Sequence, residues 1–229
     1  KAAEHAKKVE QAFLNNVNHE IRTPLHAIVG FSQLLSDSKD ENKKAHFSHI
    51  ITEQSQKLAN IIGNLLDISK IEAGDIKIVS QAFDLSMLME EQYNRFADSV
   101  VHPIVFSIKN QYSHYTITAD RAKTVQIVQN YIQNAINNTF SGRITIGFDT
   151  VPGKVRIFVQ DTGRGIKEED KPKVFFHFEK FNQFSDGLGL GLPISKALAE
   201  AMGGSVEFKS QYGTGSTFYL ILPDNNGGQ

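Results

Sequence analysis

The sequence predicts two domains of different class, an all-α helical hairpin followed by an α/β sandwich. Apolar residues recur at helical spacing up to about residue 72, and beyond it short β-type runs alternate with helical stretches. The segment Ile71-Glu-Ala-Gly74 marks the change, so the division runs 1–73, 74–223 and a polar tail or linker, Asp-Asn-Asn-Gly-Gly-Gln, at 224–229. At 229 residues there is room for two modest domains, and 40% apolar composition supplies their cores.

In the second predicted helix Phe47, Ile51, Gln54, Leu58, Ile61, Leu65 and Ile68 alternate in steps of four and three, a coiled-coil seam with one polar member. The first helix repeats this less strictly through Leu14, Val17, Ile21, Leu25, Ile28, Phe31 and Leu35, and residues 36–42 form the polar turn between them. Such a hairpin cannot bury its seam and its flanking apolar residues alone. Pairing two hairpins into a dimeric four-helix bundle solves this, and a homodimer is expected; packing against the chain's own second domain is the alternative.

After residue 74 the β-type runs are 76–79, 104–108, 115–118, 143–148, 154–160, 205–209 and 217–222, with helical stretches near 86–99, 121–138 and 191–202. This mixture predicts one sheet covered by helices.

Composition narrows the function. Lys and Arg total 24 against 25 Asp and Glu, so no basic excess points to nucleic acid. No cysteine is present, which excludes disulfides and thiolate metal sites. No apolar run approaches the roughly 20 residues of a membrane span, so no membrane contact is expected within these residues. The chain starts at Lys1 and is read as a cytoplasmic fragment, with a membrane anchor left open for a longer parent.

Of eight histidines, His19 stands in a chemically coherent setting, Asn18-His-Glu-Ile-Arg-Thr-Pro-Leu25. A nucleophilic imidazole must be neutral, and an adjacent carboxylate such as Glu20 can hold the remaining ring proton and stabilise positive charge as the ring attacks. Thr23, four residues on, shares its helix face. Pro24 lacks the N–H that the Glu20 carbonyl would accept, so a bend or loosened turn is expected there. The plain alternative is a surface histidine beside a proline.

The second half carries Asp161-Thr-Gly-Arg-Gly-Ile166 after an apolar strand, and Gly187-Leu-Gly-Leu-Gly-Leu192 before a helix. Glycines let a ligand approach the backbone, an aspartate at a strand end can accept from an exocyclic amine, and a helix N-terminus favours phosphate. Neither the dinucleotide fingerprint G-x-G-x-x-G nor a G-x-x-x-x-G-K-[ST] phosphate loop is present. Asn130 and Asn134 lie one helical turn apart, and an asparagine oxygen suits Mg²⁺ whose other ligands are phosphate and water. Each element alone has a structural explanation.

Together they resemble a known family. His19, Glu20, Arg22, Thr23, Pro24 and Leu25 match the phosphoacceptor motif of sensor histidine kinases, and the later motifs resemble the ATP-binding domain those kinases share with gyrase, Hsp90 and MutL. The resemblance runs from about residue 9 to 223, with the motifs in family order. It implies ATP-dependent phosphorylation of His19, with Glu20 as acid/base partner and Thr23 orienting water where the partner is dephosphorylated. It implies a nucleotide site of Asn130, Asn134, Asp161, Gly163, Gly165, Ile166, Lys180, Gly187, Gly189, Leu190, Gly191 and Leu192. Asn134 would be the Mg²⁺ ligand and Asp161 the reader of the adenine amine. Phe175, Phe178 and Phe181 fall in an aromatic box, and Gly213-Thr-Gly-Ser-Thr-Phe218 resembles the closing strand motif.

The phosphate would pass to an aspartate on a response-regulator receiver domain, separate or fused. Asn137 stands where many family kinases carry a phosphate-contacting lysine, His177 replaces a proline, and only Glu179–Asp186 separate Phe178 from Gly187. Lys180 matches a basic position of the lid. These departures keep open a nucleotide-binding scaffold or phosphatase. An ATPase clamp would need a glutamate where this chain has Asn130.

Overall fold

The structure is a computed structural model that describes residues 2–176 and 189–224, with side chains from residue 15 onward. The chain divides into two compact units, residues 1–70 and 71–229.

The first unit is a hairpin of α1 (Ala2–Asp37) and α2 (Glu41–Glu72). The turn is tighter than the sequence predicts, three residues rather than seven. Asp40 explains this: its Oδ1 accepts from the amides of Asn42 (2.9 Å) and Lys43 (3.4 Å), which caps α2 immediately. Phe31 and Phe47 meet across the turn, ring centroids 5.7 Å apart. Along the expected α2 seam Ile61 and Ile68 are buried and Phe47, Ile51, Gln54, Leu58 and Leu65 are half-buried. On α1 the seam is interrupted at Leu25, 45% exposed within a single chain.

The second unit is one five-stranded sheet with helices packed on it. Its elements are β1 (Gln81–Asp84), α3 (Leu85–Ala97), β2 (Ile104–Asn110), β3 (Thr116–Ala119), α4 (Arg121–Asn138), β4 (Gly142–Val151), β5 (Lys154–Asp161), α5 (Gly191–Ala201), β6 (Ser205–Gln211) and β7 (Gly215–Pro223). The sheet order is β2-β4-β5-β7-β6, and β1 and β3 form a separate pair. β2 runs parallel to β4 and the other neighbours are antiparallel. α4 is the crossover that a parallel β2–β4 pair requires.

Alternation decides which face of the sheet is covered. Val155, Ile157 and Val159 of β5 are buried, Arg156 and Phe158 between them are half-buried, and the flanking Lys154 and Gln160 are exposed. α4 answers with Thr124, Ile127, Val128, Tyr131, Ile132 and Ala135, a buried stripe of helical period that leaves Asn130, Asn134, Asn137 and Asn138 off the core. Asp84 and Asp120 cap α3 and α4 by accepting from Met87 (3.1 Å) and Lys123 (3.0 Å).

One expected strand is absent. Residues 76–79 form no ladder; the Val79 amide instead donates to Asp120 Oδ2 (2.9 Å) and Val79 is 69% exposed. The first strand is β1, a few residues later, pairing with β3 from Gln81–Ala119 to Asp84–Thr116. β-branched composition alone specified no partner edge for 76–79.

Candidate functional site

On α1, His19 is exposed and Glu20 half-buried. Thr23 Oγ1 turns back and donates to the His19 carbonyl at 3.2 Å, so threonine and histidine are linked through the backbone as well as by helix face. The helix continues across Pro24, which is buried, although the proline offers no amide to the Glu20 carbonyl.

The second cluster forms where α4, the loop after β5 and the β6–β7 turn converge. Asp161 closes β5, paired with Ile144 on one side and Ser216 on the other. Its Oδ1 accepts from the amides of Gly163 (2.8 Å) and Ser216 (3.3 Å). Burial pushes the Asp161 carboxyl above the ordinary carboxylate range, and these two amide bonds only partly offset it. A buried carboxylate with two donors on one oxygen is well suited to accept a further hydrogen bond from a ligand amine.

Two glycines here are dictated by close approach. A Cβ on Gly163 would stand 2.2 Å from the Asn138 carbonyl oxygen, and one on Gly165 (φ +67°) 2.0 Å from the Gln211 carbonyl oxygen. The loop is thereby pressed between the end of α4 and the end of β6. Ile166 is held through its amide, which donates to Ser210 Oγ at 2.8 Å, and Ser210 in turn meets Ser216 Oγ at 2.9 Å.

Asn130 and Asn134 take different roles. Asn130 Nδ2 donates to the Gly191 carbonyl (3.2 Å) and Ser195 Oγ (3.3 Å), bracing α4 against the first turn of α5. Asn134 Oδ1 accepts from Asn138 Nδ2 at 3.0 Å. Gly189 adopts φ +68°, Leu190 is buried, and α5 starts at Gly191 with no side-chain cap. The first-turn amides of Gly191 and Leu192 have no partner within the helix itself, and Pro193 removes a third donor. Lys180, Gly187, His177, Phe178, Phe181 and the segment Glu179–Asp186 lie outside the described residues. Phe175 packs edge-on against Phe208, which stacks on Phe218.

Ser195, Ser210, Ser216, Asn138 and Arg164 escaped the sequence reading as parts of this site. Asn138 was legible, since it extends the Asn130–Asn134 spacing by one more turn. Serines at 195 and 210 carried no signal before the fold set Ser195 against Asn130 and Ser210 against the Ile166 amide.

The donor set fits a nucleotide and Mg²⁺. Asn138 takes one lone pair of Asn134 Oδ1, and the amide oxygen that remains suits a cation whose other ligands are phosphate oxygens and water, as Mg²⁺ is.

Comparison with known proteins follows the same division. Residues 9–74 match the His Kinase A (phospho-acceptor) domain, and residues 119–226 match the histidine kinase-, DNA gyrase B-, and HSP90-like ATPase family. The catalytic domain of histidine kinase ThkA is 30% identical, with a TM-score of 0.57, covering 65% of this chain and 97% of that one. The chain belongs to the histidine kinase family. Sensor histidine kinase GacS of Pseudomonas protegens is 33% identical over 97% of this chain, which spans 25% of that relative. Hybrid signal transduction histidine kinase B of Dictyostelium discoideum is 30% identical over 96% of this chain, which spans only 12% of it. A structure of ThkA in complex with the response regulator TrrA is 25% identical, with a TM-score of 0.65, and covers 97% of this chain and 64% of that one.

Proposed function

We propose that this chain is the catalytic core of a sensor histidine kinase that phosphorylates His19 from ATP and passes the phosphate to an aspartate of a response-regulator receiver domain. The observation that carries the reading is one chain holding both an exposed histidine with an adjacent carboxylate and a glycine-lined ATPase site. The division into residues 1–73 for phosphoacceptance and dimerisation, 74–223 for ATP binding and 224–229 as a linker belongs to this proposal. A cytoplasmic setting also belongs to it, because ATP is the donor.

In this mechanism an imidazole nitrogen of His19 attacks the γ-phosphorus. A P–N bond forms, the bond to the bridging oxygen of ADP breaks, and Glu20 stabilises the positive charge on the ring before taking up its proton. Asp161 accepts from the adenine amine, and Gly163, Gly165 and Ile166 supply a wall without side-chain obstruction. The amides of Gly191 and Leu192 at the start of α5 would meet phosphate, beside Gly189 and Leu190. Asn130 holds α5 in place, and Asn134 would hold Mg²⁺, which neutralises phosphate charge when bound. Positioning and charge neutralisation supply most of the catalysis.

Leu25, Val29, Leu34, Ile62 and Leu66 are 45–57% exposed on one hairpin, which supports burial in a dimeric four-helix bundle. The receiver partner is supported by the response regulator bound to ThkA. A second reading, a nucleotide-binding scaffold or phosphatase, draws on Asn137: its Oδ1 accepts from Gln133 (3.0 Å), and no cation stands at that position. An ATPase clamp is disfavoured because Asn130 is a brace rather than a carboxylate base.

Incubation with γ-labelled ATP and Mg²⁺ decides. Acid-labile, base-stable label that disappears in His19→Ala is the expected result. Tight ATP binding without label would replace the kinase with the scaffold.

A further inference from the structure

The last turn of α4 and the loop after β5 are joined by a chain of three side chains, Arg164, Asn138 and Asn134. Arg164, between the two glycines of the loop, donates from Nε to Asn138 Oδ1 at 2.9 Å. A guanidinium N–H only donates, so the atom it meets must be the amide oxygen. This turns Asn138 Nδ2 toward α4, where it donates to the Asn134 carbonyl (2.7 Å) and to Asn134 Oδ1 (3.0 Å). Flipping the Asn138 amide would set donor against donor at Arg164 and acceptor against acceptor at Asn134.

Arg164 is itself anchored. Its amide donates to the Asn138 carbonyl (3.2 Å), satisfying one of the last-turn carbonyls of α4, and its own carbonyl accepts from Gly213 (2.7 Å). The missing side chain of Gly163 lets the loop lie this close to Asn138. Arg164, Asn138 and Asn134 are all half-buried. By contrast Asn137, one position earlier, pairs among the described residues with exposed Gln133.

We propose that Arg164 and Asn138 are positioning residues that hold Asn134 with its amide oxygen, rather than its nitrogen, presented to the divalent cation of the nucleotide complex. Asn138 takes one lone pair of Asn134 Oδ1 and leaves the other for the cation. Arg164 sets the orientation of Asn138 on which this depends, and so couples the loop that begins at Asp161 to the metal-bearing turn of α4. The inference rests on the reading of Asn134 as the Mg²⁺ ligand.

The test is calorimetric titration of the whole chain with ADP, in Mg²⁺ and in EDTA, for wild type, Arg164→Met, Arg164→Lys, Asn138→Leu and Asn134→Ala. Outer partners of metal ligands typically govern affinity by about 10–100-fold. Arg164→Met and Asn138→Leu should cut the Mg²⁺-dependent gain in ADP affinity by about tenfold, at the low end of that range. Affinity in EDTA should stay within about twofold, because neither residue is assigned a contact with the nucleotide itself. Arg164→Lys, which can still donate to Asn138, should recover part of the gain.

A proportional loss in both buffers, or no loss, overturns the proposal. If Asn134→Ala keeps the full Mg²⁺ gain, the metal reading of Asn134 falls and the relay with it. If Asn134→Ala loses the gain but the Arg164 and Asn138 variants keep it, the relay alone falls. Exchange of the Asn138 side-chain amide protons gives a second readout on the ligand-free protein. They should exchange slowly in wild type and fast in folded Arg164→Met, and unchanged exchange also overturns the relay.

Discussion

Asp161 and Tyr131 show how single buried groups set the terms of the site. For Asp161, burial favours the protonated form, so its contribution to stability is full below the ordinary value of 3.8 and is lost as pH rises through its raised folded value. As pH rises past that ordinary value the unfolded chain ionises more readily than the buried carboxyl, so folding loses stability at this position. Asp161→Asn should melt at an equal or higher temperature than wild type at pH 7, while nucleotide affinity falls at least about tenfold, the scale of one lost charge-assisted hydrogen bond. Thermal melting and nucleotide titration on the same samples check both halves. Tyr131 is wholly buried against Phe218, centroids 5.5 Å apart, and its hydroxyl has no hydrogen-bond partner among the described residues. Tyr131→Phe removes that orphan and keeps the ring, so it should stabilise by about 1 kcal/mol, read by urea unfolding.

Among the elements, α3 and α4 depend on their caps. Asp120 serves two clients, the Lys123 amide and the Val79 amide, so it ties the segment before β1 to the start of α4. Asp120→Ala should cost about 1–2 kcal/mol, a melting shift of about 2–8 °C for a unit of this size. Asp84 behaves oppositely to Asp161. Burial would raise its carboxyl, but His114 and the amides of Met87, Tyr115 and Ser86 outweigh burial and hold it below its ordinary 3.8. Its folded value is depressed, so its stabilisation is present above pH 3.8 and is lost as pH falls through that lower value. Asp84→Ala should therefore be destabilised at pH 7, with the gap from wild type shrinking below pH 3.8 in acid titrations of stability.

At the scale of the whole molecule, the two units have different sources of stability. The α/β unit buries a large apolar core within one chain, whereas among the described residues of the hairpin Ile61 and Ile68 are the large aliphatic side chains that are buried. Calorimetry should resolve two transitions. The hairpin's transition should rise in temperature with protein concentration, as mass action requires of a dimer, and that of the α/β unit should not. Sedimentation equilibrium gives the corresponding association constant. Among the described residues no helix is long and apolar enough to cross a membrane.

Much of this was readable in the residues. The seam of α2 and the helical span of α4 follow from local spacing, because a 3.6-residue period reports burial directly, whereas the phosphoacceptor and glycine motifs were legible through their resemblance to a family. The first strand was misplaced, since β-branched runs do not name their partner and only the antiparallel register with β3 decides where pairing begins. The turn of the hairpin was overestimated because an Asp40 cap ends the polar stretch sooner than composition indicates. Site geometry divided along the same line. Residue types and order by themselves determined the family, and with it the expectation that His19 accepts phosphate and that Asn134 and Asp161 belong to a nucleotide site. Only the tertiary structure decided how those groups are held: Asn130 against α5, Asp161 on Ser216, and Asn134 on Asn138, itself held by Arg164. Those hydrogen bonds join residues up to 65 positions apart, and a hydrogen bond's partner is set by where the chain returns, which no local period encodes.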